Sequence, residues 1–158
     1  KMYNLSAEVS NSMVTVTGIS EDMDFGGDSQ FSIQGTPGLI IADNGVELLI
    51  LADTERLTDA ESIRVTFCDG EAETAVLKQS DADTGLGIYG VTLSDIATST
   101  KETYTLATLG SSYTTTLPGS SVIAVGDPMN TGASVCYGSI TSVEGSVTYA
   151  DASYHLFS

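Results

Sequence analysis

Short runs of alternating apolar and polar residues, broken at intervals of about ten residues by turn-forming pairs, constrain this chain more than any other feature. Met13-Val14-Thr15-Val16-Thr17 alternates as a half-buried strand does, and Gly18 is expected to close it. Phe31-Ser32-Ile33 reads as a short strand. Gly38-Leu39-Ile40-Ile41 is apolar throughout, the pattern of a strand covered on both faces. Asp43-Asn44-Gly45 is a strong hairpin signal, and Leu48 to Leu51 is the returning strand. Thr58-Asp59-Ala60-Glu61 resembles a helix start, but the strand-like Ile63-Arg64-Val65-Thr66-Phe67 leaves no room for a helix. Asp69-Gly70 predicts a second hairpin, leading into a strand from Ala72 to Gln79 and another at Ile88-Tyr89-Gly90-Val91. Leu93 to Ala97 holds at most one helical or irregular turn.

The polar stretch Thr98 to Tyr104 is the best linker candidate. Beyond it, Tyr104-Thr105-Leu106-Ala107 is expected to open a second set of strands. Val122-Ile123-Ala124-Val125 reads as a buried strand, and further strands are expected over Ser134 to Thr141 and Ser146 to Tyr149. No long helix and no fixed repeat is visible, so the fold class is all-β, a barrel or a sandwich.

Charge narrows the function. The 158 residues carry 21 acidic and 5 basic side chains, a formal net charge of −16. Such a field repels phosphate backbones and anionic membrane surfaces, so no nucleic-acid partner is expected. The longest apolar run, Leu48 to Ala52, is far short of the ~18 residues that span a bilayer as a helix. No signal peptide is visible, and any targeting segment is expected to have been removed. Cys68 and Cys136 sit in apolar runs and are expected to be two buried, unbonded thiols.

Several local motifs fail on context. Gly85-Leu86-Gly87-Ile88-Tyr89-Gly90 fits G-x-G-x-x-G, but Val91 and Thr92 continue a strand where a phosphate cradle needs a helix. Asp81-Ala82-Asp83 begins like a calcium loop, yet Gly85, Leu86 and Gly87 offer no further side-chain oxygen. Glu21 to Asp28 gathers four carboxylates and is a slightly better calcium candidate, but a solvated loop is the favoured reading there. One histidine and two separated cysteines do not make a zinc site. His155, in Tyr154-His155-Leu156-Phe157, has no neighbouring nucleophile or orienting carboxylate and reads as a strand-face residue. Asp95 and Glu102 could be paired for acid–base work, but nothing selects them from 21 acids. No cofactor and no metal is expected.

The order of elements resembles the Deg-type (HtrA-like) trypsin-fold serine proteases. Val9 to Gly18 is similar to their opening "V-x-x-S-V-V-x-I-x-G" strand, Gly38 to Gly45 to "G-V-I-I-D-x-x-G", and Ser62 to Gly70 to the "I-x-V-x-L-x-D-G" hairpin. Leu109-Gly110-Ser111-Ser112, Pro118-Gly119, Val122 to Pro128 and Gly138 to Ser142 follow "L-G-x-S…x-G-x-x-V-x-A-I-G-x-P…x-G-I-V-S" in order and spacing. The resemblance implies a double antiparallel β-barrel with the active site between the barrels. Residues 1–100 would form the first barrel and 101–158 the N-terminal part of the second, incomplete in this chain.

The departures matter as much. In the family the catalytic histidine lies in "L-T-N-x-H-V"; with one inserted residue after Gly45, its position falls on Asp53. The catalytic aspartate lies in "T-D-I-A-V"; the matching Thr84-Gly85-Leu86-Gly87-Ile88 puts Gly85 there. The "G-N-S-G-G" nucleophile segment would follow a strand ending like Tyr154 to Ser158, where this sequence stops. A solvated carboxylate, with a pKa near ~4, accepts a serine proton poorly at neutral pH. The expectation is therefore a degenerate triad at Asp53 and Gly85, in a bacterial, extracytoplasmic module that binds or scaffolds. An active endopeptidase with its nucleophile further along, and an acidic adhesion or calcium-binding β domain, are the alternatives. The expected partners are a complementary C-terminal fragment or a second copy that completes the second barrel, and a peptide or protein ligand.

Overall fold

The computed structural model describes residues 9–23, 29–111, 117–126, 134–143, 145–149 and 152–156, with backbone alone at 21–23, 29–31, 145–149 and 152–156. Ten strands are described: β1 (Met13–Met23), β2 (Ser29–Asp43), β3 (Glu47–Asp53), β4 (Ser62–Thr66), β5 (Ala72–Asp81), β6 (Leu86–Thr92), β7 (Ser121–Gly126), β8 (Ser134–Ser139), β9 (Gly145–Tyr149) and β10 (Ala152–Leu156). The first six close into an antiparallel barrel in the order β1-β2-β3-β6-β5-β4, with β4 returning to β1. The others form two separate two-stranded sheets, β7 with β8 and β9 with β10.

Alternation sets the barrel core. Along β3 every second residue, Leu48, Ile50 and Ala52, is buried, while Leu49, Leu51 and Asp53 point to the outer face. Val14 and Val16 of β1, Ile40 of β2, Val65 of β4, Ala75 of β5 and Tyr89 and Val91 of β6 complete the interior. Leu57, from a single 3-10 turn (Glu55–Leu57), and Ile96 pack into the same cluster.

Turns hold the register. At the β2–β3 hairpin, Asp43 Oδ1 accepts the Gly45 N–H at 2.7 Å and Asn44 Oδ1 accepts the Glu47 N–H at 2.7 Å. Gly45 and Gly70 adopt the left-handed backbone, with φ of 84° and 90°, as the two hairpin signals predict. Over Gly90 of β6, Lys78 Nζ meets Glu47 Oε1 at 2.6 Å, tying β5 to β3 across the intervening strand.

Several expectations need correction. Gly18 does not end β1, which runs on to Met23; a Cβ there would lie 2.7 Å from the Ala60 Cβ, so glycine serves close packing under the 58–60 turn. The two short strands expected around 31–33 and 38–41 are one, β2. The polar stretch after Thr98 contains a short helical turn (Thr98–Lys101) whose Thr100 is fully buried. Residues 104–107 open no new strand. Instead the Thr105 N–H donates to Asn11 at 3.1 Å, the Ala107 N–H to Ile40 at 2.8 Å, and Tyr104 stacks on Phe67 at 6.1 Å, so this segment lies against the first barrel. Val122 to Val125 is not buried among the described residues: Val122 and Ala124 are exposed, Ile123 and Val125 half-buried. Cys68 and Cys136 are unbonded as expected but exposed rather than buried. Phe67 takes the inward position beside Cys68, which rides on the turn, and Cys136 lies on the open β7–β8 sheet.

Gly38 is the tightest point of the barrel wall. A Cβ there would lie 2.8 Å from Val16 Cγ2, 2.9 Å from Ile50 Cγ2 and 3.0 Å from Val14 Cγ2, all on stiff, branched side chains. Gly38→Ala should therefore destabilise the fold by about 1–3 kcal/mol through overpacking. The expected result is a lower urea midpoint with an unchanged denaturant slope; an unchanged midpoint would show that the wall yields at no cost.

Candidate functional site

Asp53 ends β3 and pairs in register with Leu86, the first residue of β6, so the two positions singled out from the sequence, Asp53 and Gly85, stand at the same end of neighbouring strands. Gly85 lies in the β5–β6 turn with φ of +69°, a left-handed conformation that side chains other than Asn and Asp seldom adopt. Asp81 organises that turn. Its carbonyl accepts the Gly85 N–H at 3.0 Å, its Oδ1 accepts the Asp83 N–H at 3.1 Å and its Oδ2 accepts the Thr84 hydroxyl at 2.9 Å. The Asp81-Ala82-Asp83 motif is thus a turn-forming device.

The segment after β3 is fastened onto this turn. Thr54 donates twice to the Gly85 carbonyl, from its N–H at 2.8 Å and from its hydroxyl at 2.9 Å. Its methyl occupies the space that a side chain at Gly87 would need. Asp53 Oδ1 accepts the N–H of Glu55, the first residue of the 3-10 turn, at 2.8 Å. Glu55 then lies over Gly85: its Cγ and Oε1 are each 3.5 Å from the point where a Cβ of residue 85 would sit. Neither Thr54 nor Glu55 carries a sequence signal of its own. The length of the gap after Gly45, on which any assignment by sequence depends, is fixed only by the β2–β3–β6 pairing.

The other sequence candidates lie elsewhere. The G-x-G-x-x-G run continues as β6 with no helix after it, so it forms no phosphate cradle. Asp95 and Glu102 are exposed, and Asp95 accepts a hydrogen bond from its neighbour Ser94. His155 pairs through its backbone with Ser146 in the β9–β10 sheet; its side chain lies outside the described residues. Of the acidic stretch Glu21 to Asp28, residues 21–23 extend β1, and the rest lies outside the described residues. Among the described residues no group of three His, Cys, Asp or Glu side chains is placed to hold a metal ion. No described helix is long and apolar enough to cross a membrane. A cleft of about 380 Å³ opens between the start of β1, the end of β4 and Gly126; none of residues 53–55 and 85 lines it.

No family model and no curated protein matches the chain. Solved structures do. One is the HtrA-type protease AlgW with a decapeptide, at a TM-score of 0.70 and 18% identity over 90% of this chain. Another is a serine-to-alanine variant of AlgW with a decapeptide, at a TM-score of 0.68 and 20% identity over 90% of this chain. This chain has the trypsin-like fold of the HtrA-type proteases. It spans about half of those structures, 46% and 45% of their lengths. The closed six-stranded barrel matches the first barrel that the sequence resemblance implies, the remaining described strands form two small sheets, and the HtrA-type fold extends over nearly all of this chain.

Tyr89 reports on the Asp53 end of the barrel. Burial, and secondly the negative charge of Asp53, raise its phenol above the ordinary value of 10.0. The folded state therefore keeps this proton longer than the unfolded chain. That contribution is fully present below about pH 10 and is lost as pH rises through the raised value. Stability measured by urea unfolding should fall as pH rises above about 10, and Tyr89→Phe should flatten the fall, leaving the part due to Tyr104, which is raised in the same direction by burial and Asp43. An identical slope in Tyr89→Phe would remove Tyr89 as a source.

Proposed function

We propose that this chain is a catalytically degenerate module of HtrA-type fold, acting outside the cytoplasm in binding or scaffolding. The observation that carries this reading is the Gly85 turn. In a Ser-His-Asp system a buried carboxylate must hold the imidazole in its working tautomer. Gly85 has no side chain, its backbone is left-handed, and its carbonyl is engaged twice by Thr54. The residues beside it, Asp53 and Glu55, are carboxylates, and a carboxylate makes a poor base for a serine hydroxyl near neutral pH.

An extended peptide is the first ligand class to test, because both AlgW structures hold a decapeptide. A strand-supplying partner, either a complementary fragment or a second copy, is proposed for the β7–β8 sheet. Neither strand contains a charged residue, and both Val122 and Tyr137 are exposed. Uncharged edges of this kind ordinarily pair with another strand.

Two measurements test the reading. Casein and a mixed peptide library at high protein concentration should show no turnover, and a fluorophosphonate probe should leave no covalent adduct. Turnover together with an adduct on a serine would establish the active endopeptidase in its place. In size exclusion at rising concentration, Ala124→Lys should abolish any association of the parent protein through β7–β8; association untouched by that charge would place the partner elsewhere.

A further inference from the structure

We propose that Glu55, and not Asp53, stands in the place of the histidine base in this chain, its side chain lying over the glycine where the orienting carboxylate would be. This rests on the degenerate-protease reading and names the residue that takes the base's place. A base and its orienting carboxylate have to touch, because the carboxylate accepts the imidazole N–H. Whatever side chain reaches the vacant Cβ position of residue 85 is therefore the one in the base's place.

The three atoms nearest to that position are all from Glu55: Cγ at 3.5 Å, Oε1 at 3.5 Å and Cδ at 3.6 Å. Asp53 is a β3 residue fixed by its pairing with Leu86, and its Oδ1 is turned toward the Glu55 N–H at 2.8 Å. That bond ties Glu55 back to the end of β3, and Thr54 is the residue that precedes the 3-10 turn. Thr54 then sets the path of the segment by its two hydrogen bonds to the Gly85 carbonyl. Asp53 and Thr54 position Glu55, and Glu55 supplies the atoms nearest to the Cβ position of Gly85.

The arrangement can be rebuilt as an imidazole–carboxylate pair. Aspartate tolerates the left-handed backbone better than most residues, so Gly85→Asp can be accommodated at the observed φ of +69°. In a His155→Gln background, which removes the only other histidine, the imidazole titration is followed by NMR. The histidine of Glu55→His/Gly85→Asp should titrate about one pH unit higher than that of Glu55→His alone, as expected for an imidazolium beside a carboxylate. The histidine of Asp53→His/Gly85→Asp should show no such rise over Asp53→His. A rise at position 53 and none at 55, or no rise at either, overturns the assignment. If Gly85→Asp prevents folding, the parent protein decides. The Gly85 Hα protons should show a nuclear Overhauser contact to the Glu55 Hγ protons and none to the Asp53 Hβ protons, and the reverse pattern, or no contact to either, refutes the proposal. Activity stays a separate matter: proteolysis or a fluorophosphonate adduct in the parent chain would defeat the degenerate-protease reading, whatever the imidazole titrations show.

Discussion

Closure of the six-stranded ladder is the constraint on which the rest depends. An open antiparallel sheet leaves two unpaired edges and one face to be covered by something else. Pairing β4 with β1 removes both edges and turns the inward residues of all six strands into one core. The pairing is tight enough to require glycine at Gly38, where three branched side chains converge. Once the barrel is closed, the ends of β3 and β6 are forced side by side. The segment after β3 then has little choice but to lie on the β5–β6 turn.

The barrel was legible in the sequence because its signals are local. Alternation in Met13 to Thr17 and Leu48 to Leu51, and the Asn44-Gly45 and Asp69-Gly70 turns, act over a few residues and need no partner to be recognised. What was less legible depends on contacts between distant segments. Gly18 looks like a strand terminator until Ala60 and Leu57 are seen packed on it. Residues 104–107 look like the opening of a new sheet until Asn11 and Ile40 are seen to accept their N–H groups. Cys68 follows an inward phenylalanine in an apolar run, but the turn at Asp69 rotates it outward. The candidate site behaves in the same way. Asp53 and Gly85 could be singled out from motif order, whereas Thr54 and Glu55 carry no motif and emerge only from the distances around Gly85.

The glycines of the 85–90 run illustrate why a motif cannot be interpreted apart from its surroundings. Gly85 makes the turn, Gly87 admits the Thr54 methyl, and Gly90 lies beneath the Lys78–Glu47 ion pair. Each is demanded by a different neighbour, and together they reproduce a nucleotide-binding pattern with none of its chemistry.

Charge is divided unevenly along the chain. Residues 1–103 hold 18 of the 21 acidic side chains and all 5 basic ones; residues 104–158 hold only Asp127, Glu144 and Asp151. The barrel is thus a polyanion joined to a nearly neutral segment that includes the uncharged β7 and β8. Mutual repulsion between barrels opposes any approach of those neutral strands to one another, and that repulsion is weakened by salt and vanishes near the isoelectric point of about 4.1. The colloidal behaviour of the chain is in this way governed by its charged barrel on behalf of the neutral segment that follows.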